Sequence, residues 1–220
     1  MLVVYTAQFG GYDKLTPVAS IPGVRHVLFT DGPEVSGWEC LRPHPTEATN
    51  RRENRKYKIL SHRLFPHADW TIYHDANLPL TVDPRDIVAN CQSGLNLYRH
   101  PWRVCLYEEA RAVAGQVTRK TLKAQLHRYR RKGFPENLGL YCGGFLVRSS
   151  EANGINEKWW TEYQVGCCRD QISLPYALWR SPEAKVHVLP SEMGVPFYEQ
   201  KDGPCVRRDH VKSKKSGGTL

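Results

Sequence analysis

The sequence predicts a single α/β domain in which helices flank a mainly parallel central sheet. Three observations lead to this prediction. Short segments rich in β-branched and apolar residues alternate with segments whose apolar residues recur at helical spacing. The 220 residues suffice for one sizeable core. No internal repeat or strong linker divides the chain. We therefore expect residues 1–199 to form this domain and the polar, basic residues 200–220 to form a flexible tail.

Five segments have the composition of β-strands. They are residues 2–6, 24–30, 69–74, 139–148 and 185–190. Five others have the character of helices: residues 50–65, 83–92, 116–132, 154–166 and a segment that begins at 169. Asn50 and Asp83 are suitable N-caps, and Pro66 cannot continue the first helix. Strands that alternate with helices favour parallel pairing.

The composition is that of a globular protein with a strong positive charge. Hydrophobic residues make up 40% of the chain, and the formal net charge is +9. This charge favours an anionic partner: nucleic acid, a nucleotide or an anionic membrane surface. The seven cysteines form no CxxC pair, which argues against a structural zinc site and fits a reduced chain. No apolar run reaches the roughly 20 residues of a transmembrane segment and no secretory signal is visible, so we expect a cytoplasmic protein.

Polar side chains follow three predicted strands directly. They are Thr6 and the Gly10-Gly11 turn after the first strand, Asp31 after the second, and Asp75 and Asn77 after the third. Ligands of open parallel sheets bind at the carboxyl ends of the strands, where the amides of a glycine turn can approach a nucleotide. Solvated turns explain the same residues without a ligand, since Asp, Asn and Gly are common in turns.

The predicted helix over 50–65 is strongly basic. Helical spacing puts Arg51, Arg55 and Lys58 on one stripe, and Arg52 and Lys56 on another. Either stripe could hold a diphosphate opposite a strand-end carboxylate. A solvated helix face fits the segment equally well.

Three further segments carry candidate chemistry. Residues 98–110 gather His100, Arg103, Glu108 and Glu109 among aromatic residues, as sugar pockets do, although an amphipathic helix would begin in the same way. Gly143 and Gly144 interrupt a predicted strand, which indicates a bulge or a close approach to the backbone. Asp170 and Gln171 follow an irregular turn, where Asp170 is either a functional carboxylate or an N-cap.

Several of these segments resemble a large family of GT-A-type glycosyltransferase-like proteins, long labelled a domain of unknown function. The resemblance runs through "VVYTAQFGGYD", "RRENRKYKILSHRLFPHADWTIYHDAN" and "RDQISLPYAL", and it covers roughly residues 2–190. It implies a single Rossmann-like GT-A domain that binds a nucleotide-sugar donor.

The resemblance also implies roles for individual residues. The donor would be bound by Tyr5, Thr6, Phe9, Gly10, Tyr12, Asp31, Arg52, Lys58, Asp75 and Asn77. Asp170 falls where such enzymes often place a carboxylate beside the transferred sugar, and we pair it with Glu108 as a second catalytic candidate. Acceptor contacts are expected from His100, Arg103, Gly143, Gly144 and Gln171.

The segment "HDAN" falls where GT-A enzymes carry an Asp-x-Asp motif for Mn²⁺ or Mg²⁺. The implied ligands are Asp75 and Asn77, with His210 as the third and His187 as its alternative. Asn77 departs from the motif, because a neutral amide is a poorer ligand for these ions than a carboxylate.

The expected function is transfer of a sugar from a UDP- or GDP-linked donor to a hydroxyl acceptor. The helix at 116–132 suggests nucleic acid as that acceptor, for example a modified base in DNA, with Arg128 and Arg131 among its contacts. An anionic membrane is the other partner that this surface fits. The alternative function is a non-catalytic module that binds nucleic acid or an anionic glycan. A metal-dependent nuclease would need a tighter cluster of acidic ligands.

Overall fold

The computed structural model of the protein describes residues 1–210, and seven strands and seven helices lie in this range. The strands are β1 (Leu2–Gln8), β2 (Val24–Thr30), β3 (Glu39–Leu41), β4 (Trp70–His74), β5 (Leu95–Arg99), β6 (Tyr141–Ser149) and β7 (Val186–Val188). The helices are α1 (Asn50–Ile59), α2 (Ser61–Leu64), α3 (Pro84–Ala89), α4 (Leu106–Ala112), α5 (Arg119–Arg131), α6 (Asn153–Gln164) and α7 (Asp170–Trp179). A single 3₁₀ turn, Ser150–Ala152, joins β6 to α6.

All seven strands belong to one sheet in the order β3-β2-β1-β4-β6-β5-β7. The pairs β1–β2, β1–β4, β2–β3 and β5–β7 are parallel, whereas β6 runs antiparallel to both β4 and β5. Six strands therefore share one direction, and the predicted α/β domain with a mainly parallel sheet and flanking helices is confirmed.

The core lies on both faces of this sheet. Val3 and Tyr5 of β1 pack on one face, together with Trp159 of α6, while Val4 of the same strand packs on the other. Trp159 is fully buried, and its indole N–H donates to Ser173 Oγ at 3.0 Å. Alternate residues of β1 thus serve two apolar layers, which explains its continuous apolar sequence.

The predictions of helices and strands were accurate for elements long enough to repeat an apolar pattern, and they were incomplete for short elements. The helix predicted over 50–65 is interrupted at Leu60, whose backbone leaves helical geometry and separates α1 from α2. β3 and β5 were not predicted from the sequence, and α4 was only an alternative for the segment 98–110. Each has seven residues or fewer, too few to show a clear period.

Residues 200–210, which the sequence assigned to a flexible tail, pack against the loop that follows β4. Val206 N–H donates to Pro79 O at 3.2 Å, Thr81 N–H donates to Pro204 O at 3.0 Å, and Cys205 is buried. The rest of the predicted tail, 211–220, lies outside the described residues, and the division of the chain at residue 199 stays a prediction. Within residues 1–210, no helix combines the length and the apolar character that crossing a membrane requires.

Candidate active site

A cleft of about 680 Å³ opens at one edge of the sheet, where β1, β4 and β5 end and β6 begins. This volume is within the range of small-molecule sites. Thirteen of the predicted site residues line it: Phe9, Gly10, Tyr12, Lys58, Asp75, Asn77, His100, Arg103, Gly143, Gly144, Asp170, Gln171 and His210. The cleft therefore joins segments that are far apart in the sequence.

A buried ion cluster formed by Lys58, Arg55, Asp170 and Asp75 lies at the centre of the cleft. Lys58 Nζ contacts Asp170 Oδ2 and lies 3.7 Å from Asp75 Oδ1. Arg55 Nε lies 3.2 Å from the same Asp170 oxygen. The side chains of Lys58 and Asp170 are only 2% and 4% exposed, whereas that of Asp75 is 31% exposed. Asp75 is consequently the carboxylate of the cluster that a ligand can reach.

The cluster favours the ionised forms of Asp170 and Arg55. Burial alone would raise the pKa of Asp170, but the charges of Arg55, Lys58 and Arg169 hold the pKa of that carboxyl well below its usual range. Burial would likewise lower the pKa of Arg55, and the charges of Asp170 and Asp75 raise it instead. Asp170 is the first residue of α7 and Arg169 is its N-cap, so the N-cap interpretation of Asp170 is wrong.

The two glycines of β6 make room for this cluster. A Cβ at Gly143 would lie 2.9 Å from both Asp170 Oδ2 and Lys58 Nζ. A Cβ at Gly144 would lie 3.1 Å from Asp75 Oδ2 and 2.9 Å from a Leu78 methyl group. The close approach that the sequence predicted is thus made first by the protein's own charged side chains.

Side chains of β6 and β1 anchor the C-terminal end of α1. The buried guanidinium of Arg148 donates to Lys58 O at 3.0 Å and to the Tyr5 hydroxyl at 3.1 Å. That hydroxyl in turn donates to Lys58 O at 3.2 Å. These contacts fix the backbone from which Lys58 projects. Tyr5, predicted to bind the donor, therefore supports the site from the core, and Thr6 is fully buried beside it.

The turn after β1 forms one end of the cleft. Gly10 adopts a left-handed backbone (φ +84°), and its N–H donates to both carboxylate oxygens of Asp31 at 3.0 and 2.9 Å. Phe9 N–H donates to Asn54 Oδ1 at 3.0 Å. Asp31 is thus engaged by the turn itself and does not line the cleft. Tyr12 is 56% exposed and presents its ring to the cleft.

The segment after β5 forms the opposite end. Glu109 is 1% exposed, with Arg103 Nε at 2.7 Å and Arg169 Nη2 at 3.4 Å from its carboxylate. His100 Nε2 lies 3.8 Å from the same carboxylate of Glu109, and burial lowers the pKa of this imidazole. Glu108, predicted as the second catalytic candidate beside Asp170, is exposed and lies outside the cleft lining, because α4 turns its neighbour Glu109 inward instead.

The remaining predicted arginines lie outside the cleft lining. Arg52 contacts Glu47 Oε2 at 3.2 Å and donates to Cys168 Sγ at 2.9 Å. Arg128 donates to Glu162 Oε2 at 2.9 Å and stacks on aromatic rings of the domain. Arg131 is exposed on α5. None of the three is therefore positioned by this structure to contact a ligand in the cleft.

The sequence pointed to Arg55 and Glu109 only as members of the basic stripe and of the 98–110 segment, and lining residues such as Asn54, Trp102 and Arg169 were not predicted. Arg55 lies one turn from Lys58, and the helical projection of the basic segment places both on one stripe. The choice of Glu109 over Glu108 needed the bounds of α4, which the sequence left open. Asn54 and Arg169 carry no local signal, since their roles depend on contacts with distant segments.

The predicted metal ligands are close to the cleft but engaged elsewhere. Asn77 Nδ2 donates to Arg208 O at 3.3 Å, and His210 Nδ1 lies 2.5 Å from Asp13 Oδ1. His187 is in the edge strand β7, where its Nε2 lies 2.9 Å from Ser93 O. In the described part of the chain, no three His, Cys, Asp or Glu side chains are grouped as a metal centre. As arranged, these residues do not fit a divalent ion.

Open, mainly parallel α/β sheets bind their ligands at the carboxyl ends of their strands, and the cleft of this domain lies at that position. The comparison with protein families is specific: the chain belongs to the TOD1/MUCI70 glycosyltransferase-like domain family, whose model matches residues 29–193.

One relative is the probable hexosyltransferase MUCI70 of Arabidopsis thaliana, which is 28% identical over 157 residues. The match covers 64% of this chain and 27% of that protein, so the chain spans about a quarter of its relative's length. Among solved structures, the apo crystal structure of mouse xyloside xylosyltransferase 1 aligns with a TM-score of 0.44 at 11% identity. That alignment covers 86% of this chain and 84% of the mouse chain.

Proposed function

We propose that this chain is a glycosyltransferase domain that transfers a sugar from a nucleotide-sugar donor to a hydroxyl acceptor. The observation that carries the proposal is the buried ion cluster of Lys58, Arg55, Asp170 and Asp75 in the cleft. Two cations and two carboxylates, of which Asp75 is the accessible one, meet there at the end of the strands where such sheets bind ligands. Membership of a glycosyltransferase-like family supports sugar transfer as the reaction.

The order of the strands supports one orientation of the donor along the cleft. Along the cleft edge, the β1 turn comes first, then the end of β4 with Asp75, the start of β6, and the end of β5. With about 4.8 Å between neighbouring strands, these three spacings span about 14 Å, the scale of an extended nucleotide sugar. We assign the nucleoside to the β1 turn, the diphosphate to the ion cluster, and the transferred sugar to the region beyond it.

The chemistry follows from the charges. During transfer the bond between the anomeric carbon and the phosphate oxygen breaks, and the nucleoside diphosphate leaves with the electron pair. The acceptor oxygen then bonds to the anomeric carbon, and its proton passes to a carboxylate base. Arg55, whose side chain is 21% exposed, stabilises the charge of the leaving diphosphate, and the buried Lys58 adds its positive charge without direct contact. Asp75 is the carboxylate exposed enough to face the sugar, while Asp170 holds the two cations in place.

The metal ion and the nucleic-acid acceptor stay predictions. A divalent ion bound by Asp75, Asn77 and His210 would require His210 to break its contact with Asp13. The transfer chemistry proposed for this cleft does not use a metal ion. A nucleic-acid acceptor depends on the basic face of α5, whose cations lie outside the cleft lining.

A thermal-shift experiment tests the donor assignment. UDP, GDP and their hexose conjugates are added with and without Mn²⁺, and saturation by the correct nucleotide should raise the melting temperature by about 5–10 °C. Arg51→Ala removes a cation of the cleft and should reduce this shift. Arg85→Ala removes an exposed cation outside the cleft lining and should leave the shift unchanged.

The same screen decides between the two functions. Stabilisation by heparin or duplex DNA, with no response to any nucleotide, would favour the non-catalytic binding module. Release of nucleoside diphosphate from the stabilising donor then measures turnover directly. Donor binding without any turnover, across hexose and pentose donors and simple sugar acceptors, would contradict the assignment as a transferase.

A further inference from the structure

Trp102 is an exposed aromatic residue that the protein nevertheless holds in one orientation. Its side chain lines the cleft and is 58% exposed. The indole N–H donates to Gly194 O at 3.2 Å, and the ring meets His100 edge-on with centroids 5.8 Å apart. Gly194 N–H donates back to Pro101 O at 2.8 Å, which ties the two loops together. A ligand that stacks on this ring therefore loses little binding free energy to the ordering of the side chain.

The position of Trp102 places it beyond the transferred sugar. The residue follows β5, which is three strands from β1 in the sheet, and the ion cluster lies between the two ends. This step depends on the proposed function, which puts the nucleoside at the β1 turn. The end of the cleft at Trp102 is then the side from which the acceptor enters.

The polar groups beside Trp102 can donate hydrogen bonds to hydroxyl groups. Arg103 and Arg169 share the carboxylate of Glu109, at 2.7 and 3.4 Å, so the carboxylate offsets much of their positive charge. Arg103 is 32% exposed, which leaves guanidinium N–H groups available for neutral acceptors of hydrogen bonds. Flat apolar ring faces flanked by such donors bind pyranose rings, which pair an apolar face with a rim of hydroxyls.

We propose that Trp102 is the stacking platform for a sugar ring of the acceptor, and that the acceptor is therefore a carbohydrate. Arg103 lies beside this platform and donates hydrogen bonds to the ring hydroxyls. A single-stranded nucleic acid, whose bases also stack on aromatic rings, is the rival occupant, but it needs unpaired cations along its backbone. The network around Glu109 favours the sugar.

Fluorine NMR on the protein labelled with fluorotryptophan tests the binding directly. The resonance of Trp102 is identified by its loss in Trp102→Phe. Methyl glycosides of glucose, galactose, mannose and xylose are then titrated, and at least one should shift this resonance while the other tryptophan signals stay in place. An unmoved Trp102 signal with all four sugars would overturn the proposal. A shift caused only by oligothymidylate would overturn it in favour of nucleic acid.

Kinetics with the best sugar as acceptor provides the second test. Trp102→Ala should raise the acceptor KM about tenfold, since one stacking contact of this kind is equivalent to about a tenfold change in affinity. Tyr12→Ala, at the opposite end of the cleft, should raise the donor KM instead. Val165→Ala changes an exposed apolar residue outside the cleft lining and should change neither. Equal effects of Trp102→Ala on both KM values would contradict an acceptor-specific role.

The two proposals fail separately. If nucleotides stabilise the protein but no sugar moves the Trp102 signal, the donor site stands and the acceptor platform is wrong. If a sugar moves the signal but no nucleotide binds, Trp102 binds sugar but the transferase assignment is wrong, and with it the role of that sugar as an acceptor.

Discussion

The substitution Asp170→Asn measures what the buried ion cluster contributes to stability. Asparagine keeps the shape of the side chain and one oxygen acceptor, so the change removes the charge and little else. Asp170 Oδ2 is the contact of both Lys58 Nζ and Arg55 Nε, and the carboxylate is 4% exposed. After the substitution, Asp75, at 3.7 Å from Lys58, is the remaining carboxylate of the cluster.

The expected cost follows from this geometry. Removal of one partner from a buried ion pair typically costs about 3–5 kcal/mol, because the other charge stays buried. Since Asp75 still offsets part of the charge, we expect a loss of about 3 kcal/mol in the free energy of unfolding at pH 7. A domain with a total stability of about 5–15 kcal/mol should still fold.

The pH dependence adds a second signature. The pKa of Asp170 is depressed in the folded state, so the stabilisation is present above the unfolded-state value of about 3.9 and is lost as pH falls below it. The difference in stability between the wild type and Asp170→Asn should therefore be constant from pH 7 to about pH 5 and should shrink in more acidic solution.

Urea denaturation followed by tryptophan fluorescence provides the assay. Asp86→Asn is the matched control, because Asp86 also lies in the first turn of a helix but is exposed. It should cost no more than about 1 kcal/mol, the range of a helix-dipole contact. Lys58→Met in the Asp170→Asn background should recover part of the loss by removing the unpaired cation. An Asp170→Asn protein as stable as Asp86→Asn would refute the reasoning.

Other substitutions test the remaining parts of the site. Asp75→Asn should reduce turnover by about 10²–10³-fold, because this carboxylate faces the ligand, and should cost less stability than Asp170→Asn, since Lys58 keeps its contact with Asp170; near-normal turnover would remove it from the mechanism. Asn77→Asp should tighten Mn²⁺ binding, measured by calorimetry, if this side chain faces an ion, and should do little otherwise. Glu109→Gln should destabilise the fold by about 2–4 kcal/mol, whereas the exposed neighbour in Glu108→Gln should cost less than about 0.5 kcal/mol; equal costs in urea denaturation would contradict the assigned facing. Gly143→Ala should lower both stability and turnover, since its methyl group would meet the ion cluster at 2.9 Å; a fully active, equally stable variant would show that the cluster can move aside.

The sequence by itself determined the class of fold and most of its long elements. Apolar periodicity over 116–132 and the β-branched run over 24–30 predicted α5 and β2 because each pattern is repeated within one element. The strand-end residues Asp75 and Asn77 were predicted to lie at the ligand edge, and both line the cleft. The similarity of the segments to a glycosyltransferase-like family is also a property of the sequence, and the family assignment confirms it.

Only the tertiary structure decided which charged residues form the centre of the site. Lys58 and Asp170 are 112 residues apart, and nothing local to either one indicates their contact. Whether Glu108 or Glu109 faces the cleft depended on the bounds of α4, a helix too short to predict. The antiparallel entry of β6 between β4 and β5 brings Gly143 to the cluster, and this placement depends on strand order. The physical reason is the same in each case: periodicity is set by neighbours in the chain, whereas ion pairing is set by packing between distant segments.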